Sequence, residues 1–427
     1  MAIPPVFKDV STPVVVVNCK LGALAIMRTL GRLGVPMYGV DADPRSPAML
    51  SRYCRERFLF GLDENHPAEF LNRLLEVGRR LGRPAILIPT SDETAQFVVD
   101  YAEPLGRQFI FLKNSPEMIG RLVSKRGMYE MALEHGVPTP VTLFPQSLDD
   151  VRALLPRITY PVMLKGIYGN RLQSRSKKKM VIVRSAEELI ENYSAMEDPE
   201  TPNLMLQEYI PGDDDQIYIF NGYFDRRSRC LAGFTGHKIR QFPVHVGCAS
   251  LGVCRWNETV AQTTIRFMQA IGYQGVLDIG YRYDPRDGQY KVLDANPRVG
   301  QAFRLFVAEN DMDVVKSLYL DLTGQDQLEI VPREGRRWLI EDFDLISSFH
   351  YFQEGTLSLR EWARSFKGVE EAAWFDLRDP RPLVKMIGGL LQRMCGWLWR
   401  RLRMIKKPGD LPTLGRQSRN PASSSSR

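Results

Sequence analysis

The stretch Lys291-Val-Leu-Asp-Ala-Asn-Pro-Arg298 carries the strongest local signal in the chain. Its first part predicts a strand on which Asp294 and Asn296, two residues apart, present their side chains on one face. Oxygen ligands on one face suit Mg²⁺, which favours carboxylates, carbonyls and phosphate oxygens. Arg298 follows, and its planar guanidinium is suited to grip a phosphate. A polar strand end that merely caps a turn is the alternative reading of the same residues.

A second predicted strand precedes this one and forms a hairpin with it. Residues 275–284 connect through Pro285-Arg-Asp-Gly288, a turn sequence, and they contribute Asp278. A four-residue loop places Ile279, not Asp278, opposite Asp294. A β-bulge is therefore needed to align the carboxylates, and Gly280 is a suitable place for it.

The N-terminal part of the chain alternates short apolar strands with helices. This alternation predicts a parallel, doubly wound α/β domain over residues 1–112. The predicted strands are 13–17, 35–40, 85–89 and 109–112, and the predicted helices are 21–33 and 70–81.

The middle region, residues 113–325, is predicted to be α+β and rich in antiparallel strands. Its expected strands are 160–165, 180–184, 204–210, 216–220, 223–224, 230–242 and the hairpin described above. Asn221-Gly222 predicts a two-residue hairpin turn. Residues 169–179 form a basic segment between two of the strands and are expected to be a loop.

The C-terminal part carries most of the positive charge. The net charge is +7, yet residues 381–427 hold eleven Lys and Arg against one Asp, so the rest is slightly acidic and gives no support for nucleic-acid binding. Residues 326–407 are predicted as an appended segment in which 383–405 form a basic amphipathic helix. Residues 408–427 are expected to be disordered. That helix either packs on a protein surface or lies on an anionic membrane.

Several common chemistries have no sequence support. We find no P-loop, and the turn after the first strand, Asn18-Cys-Lys-Leu-Gly22, is not a dinucleotide fingerprint. His237, His245, Cys248 and Cys254 match no common zinc module, and we expect them to be packing and surface residues. Scattered cysteines and the absence of a signal-like N-terminus or spanning stretch predict a cytoplasmic protein, and the C-terminal helix leaves membrane association open.

The order of motifs resembles the ATP-grasp superfamily. The motifs are Ser-Lys-Arg-Gly-Met-Tyr-Glu at 124–130, Gly-Val-Pro-Thr-Pro at 136–140, Tyr-Pro-Val-Met-Leu-Lys at 160–165, Gln-Glu-Tyr-Ile-Pro-Gly at 207–212 and Leu-Asp-Ala-Asn-Pro-Arg at 293–298. The resemblance covers about residues 14–325. Within the superfamily, the chain is similar to carboxylate–amine ligases related to D-aspartate ligase and to the ATP-binding domain of carbamoyl-phosphate synthetase.

This resemblance implies a pre-ATP-grasp domain followed by an ATP-grasp fold, and a role for each matching residue. It implies that ATP is bound by Lys125, Lys165, Glu208, Tyr209, Ile210 and Asp215. It implies that Mg²⁺ or Mn²⁺ is bound by Asp278, Asp294 and Asn296. Lys165 and Arg298 would be catalytic. Candidates for contact with the substrate are His237, Lys238, Arg240 and Arg304, and charge on a strand surface is the alternative interpretation of each.

The sequence departs from the family pattern at three places. The acid at position 294 is Asp where the family usually has Glu. The other metal position falls near Gly280, which has no side chain, so Asp278 is taken as its substitute. The flap that is usually glycine-rich is basic here, over residues 169–179.

The implied function is an ADP-forming ligase that makes an acyl phosphate from a carboxylate and transfers it to an amine. Expected partners are these small-molecule substrates, with a homodimer and peripheral membrane contact left open. Three alternatives remain: a non-catalytic ATP-binding regulator, a bicarbonate-using enzyme similar to carbamoyl-phosphate synthetase, and a scaffold or membrane-docking protein that acts through the C-terminus. The first domain is expected to contribute part of the carboxylate site near 18–22 and 90–92.

Overall fold

The protein is described here from a computed structural model that covers residues 7–178 and 180–392. Residues 7–383 form one compact unit that contains three β-sheets. From 381 to 392 the chain is helical, so the helix predicted over 383–405 begins two residues earlier than expected. The rest of that helix and the predicted tail, 408–427, lie outside the described residues. Among the described residues, no helix is long and apolar enough to span a bilayer.

The first sheet has five parallel strands in the order β3-β2-β1-β4-β5. The fully buried strand β1 lies at its centre, as expected for a parallel sheet covered on both faces. The strands are β1 Val14–Val17, β2 Met37–Val40, β3 Cys54–Phe58, β4 Ala85–Pro89 and β5 Phe109–Ile110. The helices are α1 Leu21–Gly31, α2 Pro67–Leu81, α3 Asp92–Asp100 and α4 Ala102–Leu105.

The second sheet has four antiparallel strands in the order β6-β9-β7-β8. They are β6 Thr142–Leu143, β7 Val162–Gly166, β8 Met180–Val183 and β9 Leu204–Glu208. The helices in this region are α5 Pro116–Val123, α6 Lys125–Glu134, α7 Leu148–Leu154, α8 Gly169–Ser176 and α9 Ala186–Met196. Helix α8 corrects the expected loop over 169–179. Leu172 is buried among the apolar residues of this sheet and anchors the helix.

The third sheet has seven strands in the order β14-β13-β10-β11-β12-β15-β16. They are β10 Ile217–Phe224, β11 Cys230–Phe242, β12 Cys248–Cys254, β13 Gly275–Asp284, β14 Gln289–Asn296, β15 Arg337–Leu339 and β16 Val369–Ala372. The helices are α10 Glu258–Ile271, α11 Val314–Leu322, α12 Glu341–Gln353 and α13 Leu359–Ser365. Because β15 and β16 follow residue 325, the segment predicted as an appendage contributes two strands to this sheet. The boundary at 325 remains a prediction.

The predicted hairpin turn at Asn221-Gly222 is wrong. Both residues lie inside the continuous strand β10, where Asn221 pairs with Phe234 on one side and Asp278 on the other. A Cβ atom on Gly222 would lie 2.5 Å from the ring of Phe220, so the glycine serves close packing. The chain reverses at 225–229, where the Asp225 carboxylate accepts backbone N–H groups.

The bulge predicted for the hairpin of β13 and β14 is present. The register shifts between Gly280 and Tyr281, where Leu293 is the extra residue of β14. Beyond the shift, Gly280 is opposite Asp294, and Asp278 is opposite Asn296. The bulge thus puts all four positions on one face, although it does not place Asp278 directly opposite Asp294.

Candidate active site

A row of polar side chains crosses three strands of the third sheet. Asn221, Asp278 and Asn296 are successive cross-strand partners, and such partners share a face of the sheet. Asn221 is completely buried; its Nδ2 donates to the carbonyl of Leu277 at 3.3 Å, and its Oδ1 has no partner in the described structure. The sequence interpretation missed Asn221 because it assigned this residue to a turn.

Two glycines provide the space that the carboxylates occupy. A Cβ atom on Gly280 would lie 2.6 Å from Oδ1 of Asp294, and one on Gly300 would lie 2.1 Å from Oδ2 of Asp278. A side chain at either position would displace a carboxylate. Burial raises the pKa of Asp278 to about 6, and the neighbouring Arg298 only partly offsets that effect.

Lys165 brings a buried ammonium group to the same site. It lies on β7 with 7% of its surface exposed, and its Nζ donates to Oε1 of Gln207 at 3.0 Å. Burial, reinforced by the charges of Lys125 and Lys238, lowers its pKa to about 8, although Asp294 opposes the shift. Lysines that repel one another in a cleft favour the binding of a polyanion, which relieves the repulsion.

Lys238 is the second ammonium that faces the side of the sheet with Asp278 and Asp294. Its Nζ donates to the carbonyl of Gly247 at 2.8 Å and to Oε1 of Gln241 at 3.1 Å. Burial lowers its pKa, while Asp294 and Asp278 act in the opposite direction. Of the residues considered for substrate contact, Lys238 is the one that the structure brings to the carboxylates.

Arg240 and Arg304 have a different role from the one considered for them. Arg240 forms a two-pronged ion pair with Asp344, with both N···O distances at 2.8 Å. Arg304 is buried between Asp313 and Glu371, at 2.6 and 2.7 Å. Because their guanidinium groups are held in buried ion pairs, we correct the suggestion that they contact substrate.

The first domain meets the site at Arg298. The Nε of Arg298 donates to Asp92 at 2.9 Å, and its Nη2 donates to Oδ1 of Asn296 at 3.0 Å. Asp92 is the first residue of α3, within the predicted segment 90–92. At the other predicted segment, a Cβ atom on Gly22 would lie 3.2 Å from the carbonyl oxygen of Gly300. Residues 18–22 and 90–92 therefore both lie close to the segment that follows β14 and contains Arg298.

The predicted adenine-binding residues lie along β9 and the segment that follows it. The carboxylate of Glu208 pairs with Arg286, lies 3.6 Å from Lys291 Nζ and accepts the N–H of Val141 at 3.1 Å. The carbonyl of Ile210 accepts the Nε of Arg282 at 2.9 Å. The groups expected to contact adenine are therefore engaged with protein groups in this structure.

Three further residues were predicted to bind ATP, namely Tyr209, Asp215 and Lys125. Tyr209 is half-buried beside Ile210, and Asp215 is exposed in the short 3₁₀ turn Asp214–Gln216. Lys125 begins α6, and a Cβ atom on Gly169 would lie 3.6 Å from its Nζ, so the basic segment starts beside this lysine.

The oxygen atoms of this site suit a hard cation such as Mg²⁺, with water and substrate phosphate as its remaining ligands. Asp278, Asp294 and Asn296 supply oxygen donors on one sheet face, and four cations face the same region: Lys125, Lys165, Lys238 and Arg298. Within 7–178 and 180–392, no group of three His, Cys, Asp or Glu residues is suited to a metal ion. Mg²⁺ usually keeps waters and substrate phosphates in its shell, so one or two protein carboxylates suffice.

Known proteins were compared with the chain. No protein-family model matches it. D-aspartate ligase from Enterococcus faecium is 26% identical over 291 residues, which are 64% of this chain and 68% of that protein.

Solved structures share the architecture at lower identity. One is the biotin carboxylase domain of the Hydrogenobacter thermophilus 2-oxoglutarate carboxylase, solved with MgADP and bicarbonate (TM-score 0.58, 17% identity, 76% of this chain and 72% of that one). The chain has the ATP-grasp fold. The L-amino acid ligase of Bacillus licheniformis is similar to the same extent (TM-score 0.57, 14% identity, 77% and 79% covered). The predicted ATP-grasp fold, with its N-terminal parallel domain, is confirmed.

The predicted metal ligands on β14 lead to a test. Asp294→Asn removes a carboxylate from the exposed end of the face and should raise the Mg²⁺ concentration needed for half-maximal nucleotide binding by about tenfold. Asp287→Asn, in the hairpin turn, is the matched control and should titrate like the parent. Calorimetric titration of a non-hydrolysable ATP analogue at several Mg²⁺ concentrations measures both. Identical Mg²⁺ dependence in all three proteins would remove the metal assignment.

The lowered pKa of Lys165 leads to a pH test. Polyphosphate favours the charged ammonium, so binding takes up a proton above pH 8, and affinity should fall with rising pH by at most about tenfold per unit. Lys165→Arg keeps its charge and should lose this part of the pH dependence. The measurement is the dissociation constant of the ATP analogue between pH 7 and 9.5. An unchanged slope in the arginine variant would show that Lys165 does not face the phosphates.

Proposed function

We propose that the chain is an ATP- and Mg²⁺-dependent ligase that phosphorylates a carboxylate and joins the resulting acyl group to an amine. The observation that carries the proposal is the meeting of Lys165, Lys238 and Arg298 with Asp294 and Asn296 at one end of the third sheet. Such an arrangement stabilises the negative charge of a phosphoryl group during transfer.

The proposed reaction has two steps, phosphorylation of the carboxylate and transfer of the acyl group to the amine. A carboxylate oxygen attacks the γ-phosphorus of ATP, and ADP leaves. The amine nitrogen then attacks the acyl carbon, inorganic phosphate leaves with the C–O electron pair, and the nitrogen loses a proton. Lys125 and Lys165 hold phosphates, and Arg298 steadies the transferred group beside the first domain. Magnesium, when bound, neutralises charge that develops on the phosphate oxygens.

Among the functions considered, the comparisons favour the ligase. The relative from Enterococcus faecium is called D-aspartate ligase, and one structural neighbour is called an L-amino acid ligase. These names support an amine substrate over a purely regulatory role or the bicarbonate chemistry of a carbamoyl-phosphate-synthetase-like enzyme.

Acyl-phosphate formation distinguishes this reaction from simple ATP hydrolysis. ADP release should require a carboxylate, and hydroxylamine should trap the activated acyl group as a hydroxamate. Lys165→Met should lower this activity about 10²- to 10³-fold, the usual loss on removing one charge-stabilising group. Folding should be retained because a buried charge is removed. Asp287→Asn serves as the active control. Turnover without any carboxylate, or full activity in Lys165→Met, would contradict the proposal.

Membrane contact is a separate proposal that depends on the C-terminal sequence. Trp397 and Trp399 precede a basic cluster between Arg400 and Lys407, and each basic residue near an anionic surface contributes ~1 kcal/mol of attraction. The full chain should therefore co-sediment with anionic vesicles at low salt, whereas a 1–380 variant should not. Equal behaviour of both proteins would leave packing against protein as the explanation. A homodimer likewise remains a proposal.

A further inference from the structure

Helix α12, which lies beyond the region of family resemblance, reaches the active site through His245. This residue is at the tip of the turn between β11 and β12. Its Nδ1 is 3.3 Å from Asp214, and its Nε2 is 3.0 Å from Glu354, which follows α12 directly. The ring of Tyr351 contacts it edge-on, with centroids 5.3 Å apart. His245 thus connects the helix to the 3₁₀ turn that contains the predicted ribose-binding residue, Asp215.

A chain of hydrogen bonds continues from this cluster to Lys238. The Tyr351 hydroxyl donates to the other oxygen of Asp214 and accepts the backbone N–H of Gln241 at 3.4 Å. The side chain of Gln241 in turn accepts Nζ of Lys238. Each link is formed by a buried or half-buried group, so the ammonium position depends on the position of Tyr351.

The same turn supplies the other acceptor of Lys238, the carbonyl of Gly247. A Cβ atom on Gly247 would lie 2.0 Å from the carbonyl carbon of Phe242, which shows how tightly the turn is folded on itself. His245 has φ of +62°, a conformation that few non-glycine residues adopt without support from their surroundings. Displacing the tip of this compact turn would therefore move the Gly247 carbonyl as well.

Helix α12 is itself fixed to the sheet. Asp344 receives the two hydrogen bonds of Arg240 on β11, and Ser250 on β12 contacts Asp344 and Ser347 at 3.2 and 3.1 Å. Residues 344, 347 and 351 recur at helical spacing on one face, so the anchored face also carries Tyr351. The helix is a rigid support for the cluster around His245.

We propose that Tyr351 and His245 are positioning residues that hold Lys238 and the Asp214–Gln216 turn in the geometry needed for phosphoryl transfer. The inference rests on the proposed function. The groups that face His245 are Asp214 on the 3₁₀ turn, Tyr351 on α12 and Glu354 directly after α12. A protonated imidazole bridges the two carboxylates, whereas the neutral ring cannot attract both.

The pH dependence of this bridge has a defined sign. Burial disfavours the charged imidazole, but hydrogen bonds to Glu354 and Asp214 outweigh that effect and raise the pKa of His245. The bridge is therefore complete below this pKa and weakens as pH rises through it. Nucleotide affinity should follow the same course and fall as the imidazole loses its proton.

Four variants test the proposal by calorimetric binding of an ATP analogue with Mg²⁺ and by ADP release between pH 6 and 9. Tyr351→Phe and His245→Gln should each lower kcat/KM for ATP about tenfold, the loss expected for one hydrogen bond to a charged group. His245→Gln should also lose the part of the pH dependence that the imidazole contributes. His245→Lys, which stays charged, should recover activity at high pH. His350→Gln is the control, because His350 is exposed and directly precedes Tyr351 in the sequence.

The outcomes separate this inference from the function on which it rests. If Tyr351→Phe and His245→Gln behave like His350→Gln, the positioning role is overturned. If both variants lose stability but keep the parent's pH profile, with no recovery in His245→Lys, the cluster is merely structural, and the proposal also fails. Failure of the ligase reaction would instead appear in the parent protein, as ADP release that needs no carboxylate, while the binding measurements would still report on the cluster.

Discussion

Leu293 adds one residue to β14 opposite the step from Gly280 to Tyr281, and the chemistry of the sheet end depends on this insertion. Side chains alternate between faces along a strand, so a shift of one residue exchanges the two faces of everything beyond it. Without the extra residue, Asp278 would not share a face with its partners Asp294 and Asn296. The bulge therefore aligns the oxygen ligands on the face that the lysines approach.

Charge explains why this face is built for a ligand. Lys165 and Lys238 both have lowered pKa values, because burial makes each ammonium costly and the carboxylates opposite them compensate only in part. A polyanion accompanied by a divalent cation satisfies both sets of groups. The two buried lysines thus lower the folding stability of the protein without nucleotide, and the same two residues favour nucleotide binding. Active sites commonly show this relation between stability and function.

The sequence predicted those parts of the fold in which local pattern and tertiary environment agree. Strands β13 and β14 were predicted with the bounds observed, because a turn signal separates two apolar runs. Strand β3 was missed, since Cys54-Arg-Glu-Arg-Phe58 lies at a sheet edge and shows no apolar run. Asn221 was misassigned because an Asn-Gly pair is a local signal for a turn. In the structure, Asn221 lies in the middle of a sheet, where β11 and β13 pair with its strand on either side.

The site was predictable to a similar extent. Motif order indicated Lys165, Asp294 and Arg298 together, and the structure brings them to one region. The engagement of Glu208 with Arg286, and the support that Lys238 receives from α12, depend on contacts between residues distant in sequence. Pairings of that kind have no signature in a single sequence.

The third sheet continues past the family region, and this has a consequence for how the chain is protected from self-association. Strand β12, Cys-Ala-Ser-Leu-Gly-Val-Cys, is uncharged and mostly buried, and its outer edge is covered by β15. A chain that stopped at 325 would lack the hydrogen bonds that residues 250–254 form with β15 and the segments beside it, and would leave those backbone groups free. Such an edge is a template for strand addition between molecules, so β15 and β16 also act as a cover against aggregation.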